Sequence, residues 1–369
     1  MNEIEINLTE EIGHINKIPV RNLWLLMLYA SDLFRSLAKK NIAVEDNPDD
    51  IPDLIAKILC RQVERRIQRN LSYGYQSRSD ILHRVRGRID LFYTERHQLL
   101  NRGKVACRFD ELTVNTVLNR YARAALEKIA GIVKDKKTLA HKCRNLSASL
   151  KHMGVVGECP SRSEISSIRL GRHEVEDKPM MAAAQLAFNL ALPTEMVGSK
   201  SLFSPERKIE WIRKLYEKGV AGFYDVALSP KGWRVTAGKQ LNWQISNKTS
   251  GIDDIFPSMR ADIILEHQEL KRRIIIDTKF NTLTTGGWHR KQSLRNAYLY
   301  QIYTYIRSQE NQNDPLSQNA SGLLLHPSVD GDRNESVTIQ NHQFQFATVD
   351  LSKSAKEIRK QLLDIVETN

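Results

Sequence analysis

Two stretches of the chain decide its fold, Met259-Arg260-Ala261-Asp262-Ile263-Ile264-Leu265 and Arg273-Ile274-Ile275-Ile276-Asp277-Thr278-Lys279-Phe280. Both are rich in β-branched and aliphatic residues, and the segment from His267 to Arg272 between them has the polarity of an exposed connection. This pattern predicts an antiparallel β-hairpin. The continuous run Ile274-Ile275-Ile276 indicates a strand that is buried on both faces, so a carboxylate at its end needs compensation.

The polar ends of the hairpin bring two carboxylates and one lysine together. Because strand side chains alternate, Asp277 and Lys279 are expected on one face and Thr278 on the other, with Asp262 opposite them. A hard divalent cation such as Mg²⁺, or Mn²⁺, takes oxygen ligands, so Asp262, Asp277 and the carbonyl of Thr278 are predicted to bind it. Lys279 is then predicted to orient the attacking water and to offset charge on the reacting phosphate. The alternative is a surface hairpin with an Asp277–Lys279 ion pair, because D-x-K is short.

Helical patterns lie on both sides of the hairpin. The segment from Leu294 to Arg307 has helical length and carries Gln301 and Tyr305 one turn apart on one face. Upstream, the segment from Glu210 to Tyr224 is amphipathic and carries Glu217.

This order of elements resembles the PD-(D/E)xK nuclease superfamily over about residues 200 to 330, in the branch whose following helix places Gln and Tyr near DNA. One departure is Ala261, which stands where the motif has proline. Proline is not a metal ligand, so the ligand chemistry is unaffected. The resemblance implies a restriction-endonuclease-like core in which phosphodiester hydrolysis is carried by Asp262, Asp277 and Lys279, DNA is positioned by Gln301 and Tyr305, and Glu217 reaches an active-site water.

Further motifs precede this core, namely Ile18-Pro19-Val20-Arg21-Asn22-Leu23, Leu26 to Ala30, Val85 to Asp90, Phe109 to Leu112, Asn115-Thr116 and Asn119-Arg120. In this order the chain resembles the McrC family, the nuclease subunits of 5-methylcytosine-specific (type IV) McrBC restriction systems, from about Ile18 to its end. The resemblance implies an AAA+ GTPase ring of the McrB type as partner, which recognises DNA with modified cytosine and is stimulated by this subunit. It also implies that the N-terminal half forms a finger-like projection that enters the pore of that ring.

Length and charge agree with these expectations. A chain of 369 residues is long enough for two domains, and a net charge of +12 favours a polyanionic partner. We expect an α+β protein whose N-terminal domain, residues 1–180, mixes helices with β-structure and binds the partner. Residues 181–369 are expected to form the nuclease domain, with a central mixed sheet flanked by helices. A segment rich in Gly, Ser and Pro, residues 154–167, lies just before this boundary.

The N-terminal half has its own predicted elements. Helices are expected over Asn22 to Leu37, Asp53 to Arg69, Phe109 to Ile132 and Met180 to Leu192, short strands and turns over Leu71 to Asp90, and a loop over Asn41 to Pro52. Gly87, between two arginines, is expected to serve a turn or a close approach of the backbone. The cysteines Cys60, Cys107, Cys143 and Cys159 lack C-x-x-C spacing, which argues against a zinc site and a disulfide framework and favours reduced thiols in the cytoplasm.

Two absences narrow the function. The segment from Gly232 to Lys239 has five residues between its glycines and is followed by Gln240, so it is not a phosphate-binding loop, and no nucleotide is expected to bind this chain. No apolar run of the sequence approaches membrane-spanning length. The function classes that remain beside the nuclease subunit are a stand-alone DNA repair or recombination nuclease and a non-catalytic activator of the motor.

Overall fold

The computed structural model describes residues 14–15, 18–38, 51–133, 137–168, 176–198, 205–285, 293–328 and 332–367. Its contacts divide the chain into two compact units, one made of Met1–Ile51 with Asn189–Asn369 and one made of Pro52–Phe188. The first unit therefore combines both ends of the chain, whereas the division expected from the sequence is a single cut near residue 180. The assignment of partner binding to residues 1–180 and of cleavage to residues 181–369 stays a prediction.

The chain enters the first unit through short elements. The strands β1 (His14–Ile15) and β2 (Ile18–Pro19) pair antiparallel, and the helices α1 (Val20–Ala30) and α2 (Asp32–Ala38) follow. The single helix expected over Asn22 to Leu37 is therefore wrong, because Ser31 has extended backbone angles and ends α1.

The second unit follows, with three strands and several helices. Its described elements are α3 (Ile51–Gln68), β3 (Gly74–Leu82), β4 (Arg88–Ile89), α4 (Leu91–Arg96), a 3-10 turn (Leu100–Arg102), β5 (Val105–Thr113), α5 (Val117–Ile132), α6 (Lys137–His152) and α7 (Arg162–Ser167). The antiparallel strands lie in the order β3-β5-β4. The helix expected over Asp53 to Arg69 and the strands and turns over Leu71 to Asp90 are confirmed. Residues 41–50 of the expected loop lie outside the described residues, and its last two residues, Ile51 and Pro52, already belong to α3, so the loop was predicted to end too late.

The helix expected over Phe109 to Ile132 is wrong in its first part. Phe109 to Thr113 belong to β5, where Phe109 pairs with Arg78 of β3. The helix begins only after Thr116, whose side chain accepts a hydrogen bond from the backbone N–H of Asn119. A threonine cap of this kind sets a sharp start that the apolar periodicity alone does not reveal.

Two local contacts shape the second unit. Gly87 has a φ of +69°, and a Cβ there would lie 2.5 Å from the carbonyl oxygen of Arg108, so the expected close backbone approach is confirmed. The thiols of Cys60 and Cys143 lie 3.4 Å apart although the residues are far apart in sequence. All four cysteines are free; Cys60, Cys107 and Cys143 are buried, whereas Cys159 is exposed.

The remaining elements complete the first unit. They are α8 (Lys178–Gly198), which begins in the second unit, α9 (Pro205–Leu228), a 3-10 turn (Ser229–Lys231), β6 (Arg234–Leu241), a 3-10 turn (Ile252–Asp254), β7 (Met259–His267), β8 (Arg272–Thr278), β9 (Thr284–Thr285), β10 (Ser293–Leu294), α10 (Asn296–Ser308), α11 (Pro315–Gln318), β11 (Ser321–Ser328), β12 (Asn334–Ile339), β13 (His342–Asp350) and α12 (Ala355–Glu367). The expected helices over Met180 to Leu192 and Glu210 to Tyr224 are confirmed as parts of α8 and α9. The helix expected over Leu294 to Arg307 is confirmed from Asn296 onward, whereas its first residue, Leu294, belongs to β10.

A six-stranded mixed sheet forms the centre of this unit, in the order β12-β13-β11-β8-β7-β6. The strands β8, β11 and β13 are parallel, and the other neighbours pair antiparallel, including the predicted hairpin of β7 and β8. Helix α10 packs closely on the sheet, because a Cβ at Gly322 of β11 would lie 2.8 Å from Ile302 and 2.9 Å from Ile306. The expected fold class, an α+β protein with a mixed sheet flanked by helices, is confirmed.

Helix α1 packs against α9 through two glycines. A Cβ at Gly219 would lie 2.9 Å from the Leu26 side chain, and one at Gly222 would lie 1.9 Å from the carbonyl oxygen of Tyr29. Only glycine permits so close an approach of the two helices.

The start of α1 is also tied to the C-terminal segment. The buried Asn22 side chain donates hydrogen bonds to the carbonyls of Leu351 and Lys353, both at 2.8 Å. These contacts explain why residues near the start of the chain share a unit with its C-terminal part.

Across the described ranges, no helix combines the length and the apolar character that crossing a membrane would require.

Candidate active site

The two predicted carboxylates lie at one end of the β7–β8 ladder. The antiparallel register ends with the pair of Ile263 and Ile276, and Asp262 and Asp277 are the next residues on the two strands. The charge of Asp262 contributes to the rise in the pKa of Asp277, so the two carboxylates lie close to each other. The hairpin therefore brings both carboxylates together, as its sequence predicts.

The side chain of Asp262 is fixed by Thr278. Its Oδ2 oxygen accepts hydrogen bonds from the backbone N–H of Thr278 at 2.7 Å and from the hydroxyl of Thr278 at 2.9 Å. The carboxylate thus closes the end of the hairpin, and Thr278 holds it in one orientation. Both contacts use the same oxygen of Asp262.

Asp277 is 1% exposed and forms an ion pair with Lys279, whose Nζ lies 2.7 Å from Oδ2. Burial raises the pKa of Asp277 to about 6, the charge of Lys279 opposes this rise, and the charges of Asp262 and Glu217 add to it. The lysine therefore compensates only part of the negative charge in the site.

Glu217 of α9 belongs to the same electrostatic cluster. Burial, followed by the charge of Asp262, raises the pKa of its carboxyl group, whereas Arg260 and Lys279 lower it. Sequence reasoning missed Arg260 and treated Gly238 only as part of a false phosphate-binding loop. Gly238 has a φ of +62° and leaves room for the Arg260 guanidinium, which a Cβ at this position would meet at 2.4 Å.

The predicted Gln–Tyr pair of α10 is in place. The Gln301 side-chain amide donates a hydrogen bond to the Tyr305 hydroxyl at 2.6 Å. Burial raises the pKa of Tyr305, and Asp277 and Asp262 add to the rise. The structure therefore brings all six predicted side chains, Glu217, Asp262, Asp277, Lys279, Gln301 and Tyr305, to one region of the first unit.

Three further residues around Lys279 were missed from the sequence. Tyr298 places its ring 5.1 Å from the Lys279 ammonium, Asn281 donates a hydrogen bond to the Tyr298 hydroxyl, and His326 is fully buried beside them. Tyr298 precedes Gln301 by three residues on the same helix, so helical spacing was a usable signal for it. His326 lies on β11 and carries no comparable signal.

The oxygen donors of the site are suited to a divalent cation that keeps several of its waters. In the described part of the chain, no three His, Cys, Asp or Glu side chains are grouped closely enough to hold a metal ion. Mg²⁺ commonly uses only one or two protein carboxylates and keeps several waters. Two neighbouring carboxylates at one end of the hairpin, Asp262 and Asp277, with incompletely compensated charge, fit such an ion.

A protein-family match and a similar protein of known function both indicate a McrBC restriction system over most of the chain. The McrBC 5-methylcytosine restriction system component family matches residues 3–327. The chain is 24% identical over 351 residues to the type IV methyl-directed restriction enzyme EcoKMcrBC of Escherichia coli (strain K12), a match that covers 95% of this chain and 97% of that protein.

Two solved structures from Thermococcus gammatolerans are also similar. A refined half-complex from a tetradecameric assembly of McrB AAA+ hexamers with bound McrC matches with a TM-score of 0.41 at 14% identity, covering 94% of this chain and 76% of that one. A cryo-EM structure of the McrBC complex matches with a TM-score of 0.32 at 14% identity, covering 50% and 60%. Because the family match spans most of its length, the chain belongs to the McrBC 5-methylcytosine restriction system component family.

Proposed function

We propose that this chain is the Mg²⁺-dependent DNA endonuclease subunit of a modification-dependent restriction system and acts together with an AAA+ GTPase motor. The observation that carries the proposal is the meeting of Asp262, Asp277 and Lys279 at one end of the β7–β8 hairpin. Family membership supplies the restriction system, and the site geometry supplies the hydrolytic chemistry.

Asp262 and Asp277 are the proposed ligands of Mg²⁺, or of Mn²⁺, with the carbonyl of Thr278 as a third oxygen. When bound, the cation polarises the phosphate and makes water a stronger nucleophile at neutral pH. Thr278 supports this role by orienting Asp262 through two hydrogen bonds, so the ligand needs no rearrangement. The raised pKa of Asp277 indicates a carboxylate that gains from a nearby positive charge.

Lys279 supplies a positive charge beside the reacting phosphate. Its side chain is 20% exposed, so the ammonium group is held by Asp277 and still reaches substrate. Such a group orients the attacking water and stabilises the negative charge that grows on the phosphate oxygens. Glu217 is proposed to accept a hydrogen bond from that water, since its raised pKa makes it a better proton acceptor than an exposed glutamate.

Gln301 and Tyr305 are proposed to hold the DNA backbone. Because Gln301 donates to the Tyr305 hydroxyl oxygen, the hydroxyl proton points elsewhere and is free to be donated to a phosphate oxygen. The raised pKa of Tyr305 keeps this proton in place at neutral pH. Contacts of this kind fix the position of the backbone and carry no sequence information.

The partner is proposed to be an AAA+ GTPase ring of the McrB type. The curated relative is a restriction enzyme whose name joins both components, and the sequence of this chain has no phosphate-binding loop. The proposed contact surface lies in the unit Pro52–Phe188, where β3 and α4 expose aromatic side chains; Tyr75 is 81% and Phe92 77% exposed. Recognition of modified cytosine is assigned to the partner, and this chain reaches such DNA through the complex.

The test is a cleavage assay with the purified chain alone and with its motor, GTP, Mg²⁺ and methylated or unmethylated DNA. We expect the chain alone to bind DNA weakly and without specificity, because phosphate contacts dominate such binding, and to cleave poorly. Efficient double-strand cleavage is expected only with the motor, GTP and methylated DNA. Rapid cutting of unmodified DNA by the chain alone would favour a stand-alone repair nuclease, and undiminished cleavage by an Asp277→Ala complex would favour a non-catalytic activator.

A further inference from the structure

Lys279 is held by a hydrogen bond of its backbone and by two contacts of its side-chain ammonium group. Its backbone N–H donates a hydrogen bond to the carbonyl of Leu325 at 3.1 Å, just beyond the end of β8. Its Nζ lies 2.7 Å from Asp277 and 5.1 Å from the centre of the Tyr298 ring. A cation within about 6 Å of the centre of an aromatic face is attracted by the ring quadrupole. Tyr298 therefore restrains the same nitrogen that the proposed reaction uses.

The Tyr298 ring is itself fixed by a chain of contacts. Its hydroxyl accepts a hydrogen bond from the Asn281 side-chain amide at 2.5 Å. The backbone carbonyl of Asn281 accepts a hydrogen bond from His326 Nδ1 at 2.9 Å, and the His326 ring centre lies 6.0 Å from that of Tyr298. His326 follows Leu325 on β11, and Leu325 accepts the hydrogen bond from the Lys279 backbone. The contacts that begin at the Lys279 side chain therefore lead back to the Lys279 backbone.

His326 is suited to a place beside an ammonium group. A carbonyl oxygen only accepts, so Nδ1 carries the proton and donates it to Asn281. Burial lowers the pKa of His326 to about 4, the hydrogen bond to Asn281 raises it, and the charge of Lys279 lowers it further. The ring is thus neutral at physiological pH and fills a fully buried position without adding to the positive charge of Lys279 and of Arg295, whose guanidinium lies 5.9 Å from the centre of the Tyr298 ring.

We propose that Tyr298 is a positioning residue for Lys279 and acts through its aromatic ring. The inference rests on the proposed function, because Lys279 matters for cleavage only if the chain is a nuclease. The position of the ammonium group is nevertheless measurable without cleavage, so the two ideas fail separately.

The alternative role for Tyr298 is ordinary packing, since its partly buried ring also lies against the apolar cluster of α10 and the sheet. Two substitutions separate these roles. Tyr298→Leu keeps an apolar side chain and removes the ring, whereas Tyr298→Phe keeps the ring and loses only the hydroxyl. Tyr303→Leu is the matched control on the same helix, because the Tyr303 ring lies 5.9 Å from Phe344 and its hydroxyl bonds to Gln340 at 2.6 Å.

The first measurement is the acetylation rate of Lys279 in the full-length chain, without metal or partner, relative to the exposed Lys271. An amine-reactive acetylating reagent is used in limiting amount, and the modified residues are quantified by mass spectrometry. Tyr298→Leu is expected to speed acetylation of Lys279 about three- to tenfold, which corresponds to the loss of a partly desolvated cation–π contact. Tyr298→Phe and Tyr303→Leu are expected to stay within about twofold of wild type.

The second measurement is cleavage by the complete complex. Tyr298→Leu is expected to lower kcat about tenfold and to leave KM for DNA unchanged, and Tyr298→Phe is expected to restore kcat. An unchanged acetylation rate in Tyr298→Leu, or equal effects of leucine and phenylalanine, would overturn the proposal. Circular dichroism checks folding, and Tyr298→Met repeats the measurement if the leucine variant is unfolded. Altered acetylation together with cleavage by an Asp277→Ala complex would leave the positioning role standing and remove the proposed function.

Discussion

The β7–β8 hairpin carries a buried carboxylate near each end, and the two carboxylates differ in how far neighbouring positive charges compensate them. At one end Glu266 is 3% exposed and bonded to the guanidinium groups of Arg234 and Arg273; the Arg273 contact is 2.8 Å long. Arg273 also pairs with Asp314 at 2.6 Å. At the other end Asp277 is 1% exposed and, among the residues that the structure describes, is paired with one cation, Lys279.

The acidities of the two groups differ accordingly. Burial pushes the pKa of Glu266 upward, but Arg234 and Arg273 outweigh it and the net shift is downward. Burial raises the pKa of Asp277 to about 6, because two neighbouring carboxylates oppose the help of its lysine. The same hairpin thus has at one end a carboxylate, Glu266, whose charge is fully compensated by arginines. At the other end it has a carboxylate, Asp277, whose charge is only partly compensated. A buried charge without full compensation is typical of a functional site.

The largest expected effect is the loss of DNA cleavage when the Asp277 carboxylate is removed. Asp277→Ala is expected to reduce cleavage by the complete complex to background, because a proposed ligand of the cation is lost. The measurement is the initial rate of methylated DNA cleavage with motor, GTP and Mg²⁺. Circular dichroism and GTPase stimulation serve as controls and should be unchanged. Wild-type cleavage by this variant would remove the assignment of the site.

The lysine at this end should come next. Lys279→Ala is expected to lower the cleavage rate about 10²- to 10³-fold, the usual loss for one preorganised group that stabilises transition-state charge. Single-turnover rates at saturating DNA measure this. Lys271→Ala, on the exposed turn of the same hairpin, is the matched control and should cleave normally. A decrease of less than about fivefold would show that the ammonium group takes no part in the reaction.

Replacement of Glu266, at the other end of the hairpin, is expected to change the stability of the protein and not its cleavage activity. Glu266→Ala leaves Arg273 with Asp314 as a remaining partner, so a loss of about 3 kcal/mol in the free energy of unfolding is expected, the low end for a broken buried ion pair. Urea unfolding followed by fluorescence measures it. Below the unfolding transition, specific cleavage activity should match wild type. If Glu266→Ala lost activity while its stability stayed unchanged, Glu266 would not have the purely structural role that distinguishes it here from Asp277.

The smallest expected effect is a gain in stability. Asp277→Asn imitates the protonated acid; protonation of Asp277 stabilises the native state fully below the unfolded pKa, and this contribution is lost as pH rises through about 6. Without metal, the variant is therefore expected to be more stable than wild type at pH 7.5, by up to about 3 kcal/mol. Urea unfolding at pH 7.5 and pH 5 tests this.

Two controls sharpen that measurement. The advantage of Asp277→Asn should shrink as pH falls through about 6, and Mg²⁺ should stabilise wild type more than the variant. A variant that is less stable than wild type at pH 7.5 would mean that the Lys279 ion pair compensates the buried charge after all.

Sequence reasoning succeeded where the signal is local. The hairpin follows from the apolar runs beside Asp262 and Asp277, and its register needs only the strand period of two. Gln301 and Tyr305 follow from the helical period. Each of these predictions depends on residues that are close together in the chain or separated by a single turn.

It failed where a contact depends on topology. His326 approaches Lys279 because β11 lies parallel to β8 after a connection through α10 and α11, and no local pattern announces that pairing. The same applies to α1, which packs on α9, and to the meeting of Cys60 with Cys143. Phe109 to Thr113 were mistaken for helix because their apolar residues continue the period of α5, whereas pairing with β3 decides their structure.

The close packing of α1 on α9 has a consequence for synthesis of the protein. About 200 residues separate the end of α1 from the end of α9, so at roughly 5–20 residues per second the ribosome needs about 10–40 s between them. During this interval the side of α1 that packs on α9 has no native partner, while the continuous segment Pro52–Phe188 is already made. Helix α1 is therefore the first of the described helices to be synthesised, but it completes its packing only after α9 has followed.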